Sequence, residues 1–285
     1  MGRDPIGRKK RRYLRKEVGF GCPVEGCRVP FLEYHHFDPP YREGKMHNQD
    51  GMIALCPTHH RQADQQTWSV QDLHDMKNIK VREPAKGKLE WSIAEAFLVT
   101  GSNYFLGSSF NLRINNIELF SLQQDHKGRL SINALLWNEN REVVAEIKNN
   151  DMLINHMRLE DVDCMSSGKE ILFKTANRSN FIQVRFERKS IVDVIKDIKA
   201  TMDPLVKNTL TKLIEEKEKN GMINLIKFNA KIKNNEFIFD ARDENITFDF
   251  RKVGLGKGEY TDRVHANASL KISSKAGKEL IYLGN

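Results

Sequence analysis

Long apolar runs are missing from this 285-residue chain. None approaches the roughly 18 residues that a membrane-spanning helix needs, so no membrane partner is expected. No apolar signal segment follows the basic N-terminus, which points to a cytoplasmic protein. Cysteine is scarce too: Cys22, Cys27 and Cys56 cluster early, and Cys164 stands alone far downstream. A lone odd cysteine fits a reducing compartment better than a disulfide framework, and it shifts the clustered three toward metal binding. Excess charge is nearly absent outside one segment. Residues 1–16, MGRDPIGRKKRRYLRK, hold eight Lys and Arg against one Asp, a net of +7 out of a formal +8. The rest of the chain is almost neutral.

A basic segment of this kind suits a polyanion, because each neutralised phosphate releases counterions. The candidate phosphate contacts are Arg8, Lys9, Lys10, Arg11, Arg12, Arg15 and Lys16. As a charge run alone, the segment reads equally well as a solvated tail. No helix offers an evident base-reading face, so binding without sequence specificity is expected.

Coarse organisation follows from composition. The chain is long enough for one large domain or two smaller ones. Residues 18–80 are dense in Cys, His, Pro and Gly. A short helix is expected over 56–66, since Pro57 suits a first helical turn. A second is expected over 69–80, where Ser69 and Asp72 form a capping-box pattern. REPAKGK (82–88) reads as a linker. Beyond Trp91, β-branched and aromatic segments bounded by Asn, Gly and Asp read as strands, among them 110–122, 128–137, 141–150, 180–189, 225–232, 236–241, 245–250, 268–273 and 279–283. Residues 190–221 read as a long amphipathic helix, with Ser190 and Asp193 at its start, Pro204 kinking it and Gly221 at its end. This helix can pack on its own sheet or make a dimer contact, which leaves a homo-oligomer through the β-rich region open. Cys164, His126, His156 and His265 form no catalytic cluster.

The chemistry concentrates in three blocks: CPVEGC (22–27), EYHHFDPP (33–40) and GMIALCPTHHRQAD (51–64). Cys22 and Cys27 flank a tight Pro/Gly turn, and Cys56 and His59 are two residues apart. Three Cys and one His satisfy a closed tetrahedral Zn²⁺ site. His35, His36 and His60 are left over.

These blocks, in this order, resemble the HNH (ββα-metal) endonuclease family, in which the nuclease motif is commonly set between two halves of a cysteine-based zinc site. The resemblance spans about residues 18–66. It implies an α+β fold: a small zinc-stabilised ββα-metal nuclease domain, then a β-rich domain with a long helix. The matching domain plan is a basic arm (1–17), an HNH domain (18–81), a linker (82–95) and a β-rich region (96–285). By the resemblance, His35 and His60 bind a catalytic divalent ion such as Mg²⁺, Mn²⁺ or Ni²⁺, and His36 is the general base that deprotonates water. Neighbouring residues at a strand end point opposite ways, so one imidazole can hold an ion while the other faces water. The expected activity is hydrolysis of DNA to 5′-phosphate and 3′-hydroxyl ends. Such enzymes serve restriction, phage defence, mobile elements and DNA packaging.

One position departs from the family pattern. Gly51 stands where the middle Asn usually lies, with Asn48 and Asp50 as candidates to steady the loop and His47 as a candidate to approach the metal. Two further readings therefore stand beside the nuclease. One is a zinc-stabilised DNA-binding module with a degenerate site, and the other is an interaction protein acting through its β-rich region.

Overall fold

A computed structural model describes residues 5–44, 46–81, 83–94, 96–100, 103–106, 109–114, 117–176, 179–197, 221–233, 238–242, 245–249, 257–261, 264–266, 270–273 and 279–284. The fold is α+β and mostly strand. The N-terminal part comprises helix α1 (Arg8–Glu17), strand β1 (Glu33–His36), the single turn α2 (Tyr41–Gly44), strand β2 (Met52–Leu55), and helices α3 (Pro57–Asp64) and α4 (Val70–Asn78). β1 and β2 pair antiparallel, with Glu33 opposite Leu55 and His36 opposite Met52. Every residue of β2 is buried, and α3 packs across both strands. The expected capping box holds α4: the Asp72 amide donates to Ser69 Oγ (3.1 Å), and the Ser69 amide donates back to Asp72 Oδ2 (2.8 Å).

The basic arm is a helix. Leu14, on the face of α1 turned inward, is fully buried and joins Val18, Leu32, Phe37, Leu55 and Leu73 in a small core. One apolar face on an otherwise cationic segment anchors it to the fold.

Most of the remaining chain forms two sheets. In the eight-stranded sheet, Phe110–Ile114, Ile117–Gln124, Leu130–Trp137, Val143–Lys148 and Asp151–Ile154 are successive antiparallel neighbours. The single strand expected over 110–122 is thus two, with Ile114 opposite Ile117. Asn115 and Asn116, turn formers by composition, are the sequence signal for that break. The ten-stranded sheet carries Leu159–Cys164, Glu170–Thr175, Phe181–Ser190 and Met222–Lys233 in order. The sheets share the larger core, where Phe120 of one stacks on Phe228 of the other at 4.3 Å between ring centroids.

Two expectations change here. The linker at 82–95 contains the strand Ala85–Lys88, which closes one edge of the eight-stranded sheet against Asp151–Ile154, and Ala85 and Leu89 are buried. Of the helix expected over 190–221, Ile191–Asp197 is present with its Ser190–Asp193 cap, and residues 198–220 lie outside the described residues. Among the described residues no helix is long and apolar enough to cross a membrane.

Candidate functional site

The first site is built on the turn between Cys22 and Cys27. Gly26 takes φ +75°, and the Cys27 amide donates to the Val24 carbonyl (3.0 Å), curling both sulfurs toward one point. The buried Arg28 guanidinium lies behind the turn and donates to the carbonyls of Val18, Gly19 and Gly21. Cys56 arrives as the N-cap residue of α3, with Pro57 opening the helix and His59 in its first turn. The four ligand atoms lie within 4.8 Å of one another. Cys27 and Cys56 sulfurs are 3.8 Å apart, and His59 Nδ1 is 3.2 Å from Cys22 Sγ and 3.3 Å from Cys56 Sγ. A tetrahedron with metal–sulfur bonds of about 2.3 Å has sulfur–sulfur edges of roughly 3.8 Å. Burial pushes the thiols of Cys22 and Cys27 upward, so their thiolates need a counter-charge. The Cys₃His cluster therefore fits a metal ion and is compatible with structural zinc.

The second site uses the other side of the same elements. Consecutive residues of an α-helix point about 100° apart. His59 thus faces the thiols while His60 turns toward β1. Along β1, alternation puts Glu33 and His35 on one face and Tyr34 and His36 on the other. Asp64 lies one helical turn after His60 and on the same face. His35 Nδ1 is 3.1 Å from Asp64 Oδ1, His60 Nδ1 is 3.3 Å from Asp64 Oδ2, and Glu33 stands 3.8 Å from His60. His35, His60 and Asp64 together offer three atoms that could hold a metal ion. Burial, then the neighbouring His60, lowers the pKa of His35 against the pull of Asp64, favouring the neutral imidazole that ligates metals. Unlike the buried thiol site, this one is open, with Asp64 57% exposed along its side chain.

His35 and His60, the two ligands that the resemblance implies, are thus together, and Asp64, which the sequence analysis missed, joins them. The His-x-x-x-Asp interval, one helical turn, was the available signal.

His36 is 8% exposed and opens on the same cavity of about 730 Å³ as His35, His60 and Asp64. Its Nε2 lies 2.9 Å from Nδ1 of His47. His47, a candidate to approach the metal, approaches His36 instead, and the clustered ligands are His35, His60 and Asp64. At Gly51, an added Cβ would fall 1.5 Å from the Asp38 carbonyl oxygen. The Gly51 carbonyl accepts from the amides of Phe37 (2.9 Å) and Asp38 (3.2 Å), clamping the strand end that carries His36. Backbone occupies the space an Asn side chain would need. Asn48 bonds to the Asp50 amide (3.3 Å), which steadies the loop locally.

The basic residues of α1 divide. Arg8, Lys9 and Lys16 are exposed, Arg11 and Arg12 are half-buried, and Lys10 donates its ammonium to the His47 carbonyl. Arg12 and Lys16 both pair with Glu160, at 3.2 and 3.3 Å. Arg15 is a correction. Its side chain is 3% exposed, it pairs with Asp161 (2.8 Å) and Asp163 (3.2 Å), and it donates to the Tyr34 hydroxyl (2.6 Å). A guanidinium so buried fastens α1 and β1 to the ten-stranded sheet and does not reach a phosphate. The composition of the charge run alone gave no sign of this.

No family model, curated protein or solved structure matches this chain.

Proposed function

We propose that this protein is a metal-dependent endonuclease that hydrolyses DNA phosphodiester bonds, stabilised by a structural zinc on Cys22, Cys27, Cys56 and His59. The observation that carries the reading is the convergence of His35, His60 and Asp64 on one point beside His36 in a single cavity. A divalent ion held by His35, His60 and Asp64 would polarise the scissile phosphate and stabilise the charge of the departing oxygen. The chain's own residues do the rest. His36 removes a proton from water. The resulting hydroxide oxygen forms a bond to phosphorus while the bond to the 3′-oxygen breaks, and that oxygen takes a proton from solvent. A 5′-phosphate and a 3′-hydroxyl are left. Arg8, Lys9, Arg11, Arg12 and Lys16 of α1 supply contacts to the DNA backbone, which position the duplex without reading its sequence. The free thiols fit a reducing, cytoplasmic setting.

A second reading has one specific observation in its favour: Gly51, forced by the Asp38 carbonyl, displaces the family's middle Asn. On that reading the domain is a zinc-stabilised DNA-binding module without catalysis. Plasmid cleavage by wild type and His36→Ala with Mg²⁺, Mn²⁺ or Ni²⁺, alongside zinc analysis of both proteins, separates the two. Cutting by wild type alone, with equal zinc in both, is the expected result. Salt-dependent DNA binding without cutting by either protein would move the binding module ahead.

A further inference from the structure

We infer that the groove between α1 and the outward face of the ten-stranded sheet binds a single strand of DNA, with its phosphates on lysines and arginines and an unpaired base on the ring of Phe181. The choice of DNA over RNA rests on the endonuclease reading, whereas binding in the groove is measured without cleavage.

The groove encloses about 800 Å³, with α1 on one side and the strands Leu159–Cys164, Glu170–Thr175, Phe181–Ser190 and Met222–Lys233 on the other. Strand alternation decides what it presents. Phe173, Ile182 and Ile232 are buried in the core between the sheets, so their neighbours Lys174, Phe181 and Lys231 turn the other way. Lys174 lies opposite Phe181, and Phe181 lies opposite Lys231. Directly opposed residues share a face, so a half-buried aromatic ring stands between two lysines.

Seven cationic side chains and four carboxylates line the groove. The carboxylates are already engaged: Asp161 and Asp163 pair with Arg15, Glu160 with Arg12 and Lys16, and Glu170 with Arg185. Arg8, Lys9, Arg11 and Lys174 have no carboxylate partner among the described residues. The buried Nε of Arg11 has no hydrogen-bond partner among them either. Four cations are therefore left for an external polyanion, whose counterions are released as its phosphates are neutralised. A duplex would answer the charge but keeps its base faces stacked inside. The ring of Phe181 serves only an unpaired base, and such stacking tolerates any sequence. Arg15, which lines the groove, also donates to the hydroxyl of Tyr34, which lines the cavity of His35 and His60. Groove and cavity thus adjoin across one hydrogen bond.

The test uses the full-length, zinc-loaded protein and a fluorescein-labelled oligothymidylate of about twenty nucleotides, long enough to fill one single-strand site. No divalent ion is added. Anisotropy titrations should show binding that weakens as salt rises. Phe181→Leu keeps the bulk but removes the stacking face, and should raise Kd about 5–100-fold, the loss expected for one stacked base. Phe181→Tyr should bind like wild type. Lys174→Gln and Lys231→Gln should each make the slope of log affinity against log salt shallower by about 0.7, the value for one phosphate of a single strand. Lys127→Gln removes the same charge from an exposed turn of the other sheet and should change neither quantity. No binding of the oligothymidylate overturns the inference, as does an unchanged Kd in Phe181→Leu. Equal losses in Phe181→Leu and Phe181→Tyr overturn it in favour of a packing role for the ring. Tighter binding of an oligouridylate overturns the choice of DNA. Displacement by polyglutamate as readily as by unlabelled strand overturns it in favour of an acidic protein partner. If the strand binds as expected but wild type cuts no DNA with any ion, the endonuclease reading fails and the groove stands.

Discussion

Asp64 turns two neighbouring histidines into a cluster of three groups that could hold a metal ion. Its carboxylate touches both His35 and His60, at 3.1 and 3.3 Å, and it is the only anionic group among the three clustered ligands. Hard divalent ions such as Mg²⁺ and Mn²⁺ bind through oxygen and gain affinity with ligand charge. Asp64→Asn keeps the shape and one oxygen but removes the charge. The Mn²⁺ concentration giving half-maximal plasmid cleavage should therefore rise about tenfold, a loss of roughly 1.4 kcal/mol in metal binding. Zinc content should not change, because Asp64 stands outside the Cys₃His cluster. Elemental analysis beside a metal titration checks both halves. Loss of zinc in this variant would mean that Asp64 supports α3 as a whole and that the ligand assignment is wrong.

At the scale of elements, the site depends on how the end of β1 is clamped by the approach to β2. Gly51 makes the clamp possible. Its carbonyl holds the amides of Phe37 and Asp38, and its Cα passes so close to Asp38 that a Cβ would sit 1.5 Å from a backbone oxygen. A backbone atom cannot swing aside as a long side chain can, so β1 and β2 must separate to admit a methyl group. Gly51→Ala should cost at least the roughly 1–3 kcal/mol typical of overpacking, read as a lowered urea midpoint. The same separation moves His36, and cleavage should fall with stability. A variant as stable as wild type would show that this crossing is looser than its backbone geometry implies. Helix α4 supports the same region through buried Lys77, whose ammonium donates to the carbonyls of Gln49 (2.9 Å) and Met52 (3.1 Å) and pairs with Glu17 of α1.

Across the whole molecule, the small N-terminal core has to be joined to the two large sheets. How much of each was legible in the sequence turns on the range of the interactions. The Cys₃His cluster is set by short spacings around a turn and a helix start, and the capping box of α4 is local, so both could be read without a fold. Asp64 followed a helical interval that was present but passed over. The His36–His47 contact joins residues across a loop whose path no periodicity reports. Arg15 is the extreme case: its carboxylate partners lie about 150 residues downstream in the strand Leu159–Cys164, beside which the segment at Phe31 makes a parallel bridge to Cys164. A run of like charges gave no means of distinguishing the buried cation from its exposed neighbours. That pair fastens α1 to the ten-stranded sheet. The hydroxyl of Tyr34, next to His35 on β1, accepts a hydrogen bond from Arg15 Nη1 at 2.6 Å, so the ion pair braces the strand that carries His35 and His36. Removing one partner of a buried pair strands the other, at a cost of about 3–5 kcal/mol, whereas replacing both by apolar groups is often nearly neutral. Asp161→Ala should therefore destabilise the protein by an amount near the lower end of that range, because Asp163 still faces the guanidinium. Arg15→Met with Asp161→Leu should recover much of the loss. Urea unfolding followed by tryptophan fluorescence checks this, with Trp68 against the N-terminal core, Trp137 in the core of the sheets and Trp91 packed against it. If Asp161→Ala unfolds at the wild-type midpoint, the two cores are held together by apolar contact such as that of Phe31, and Arg15 is a passenger in the joint.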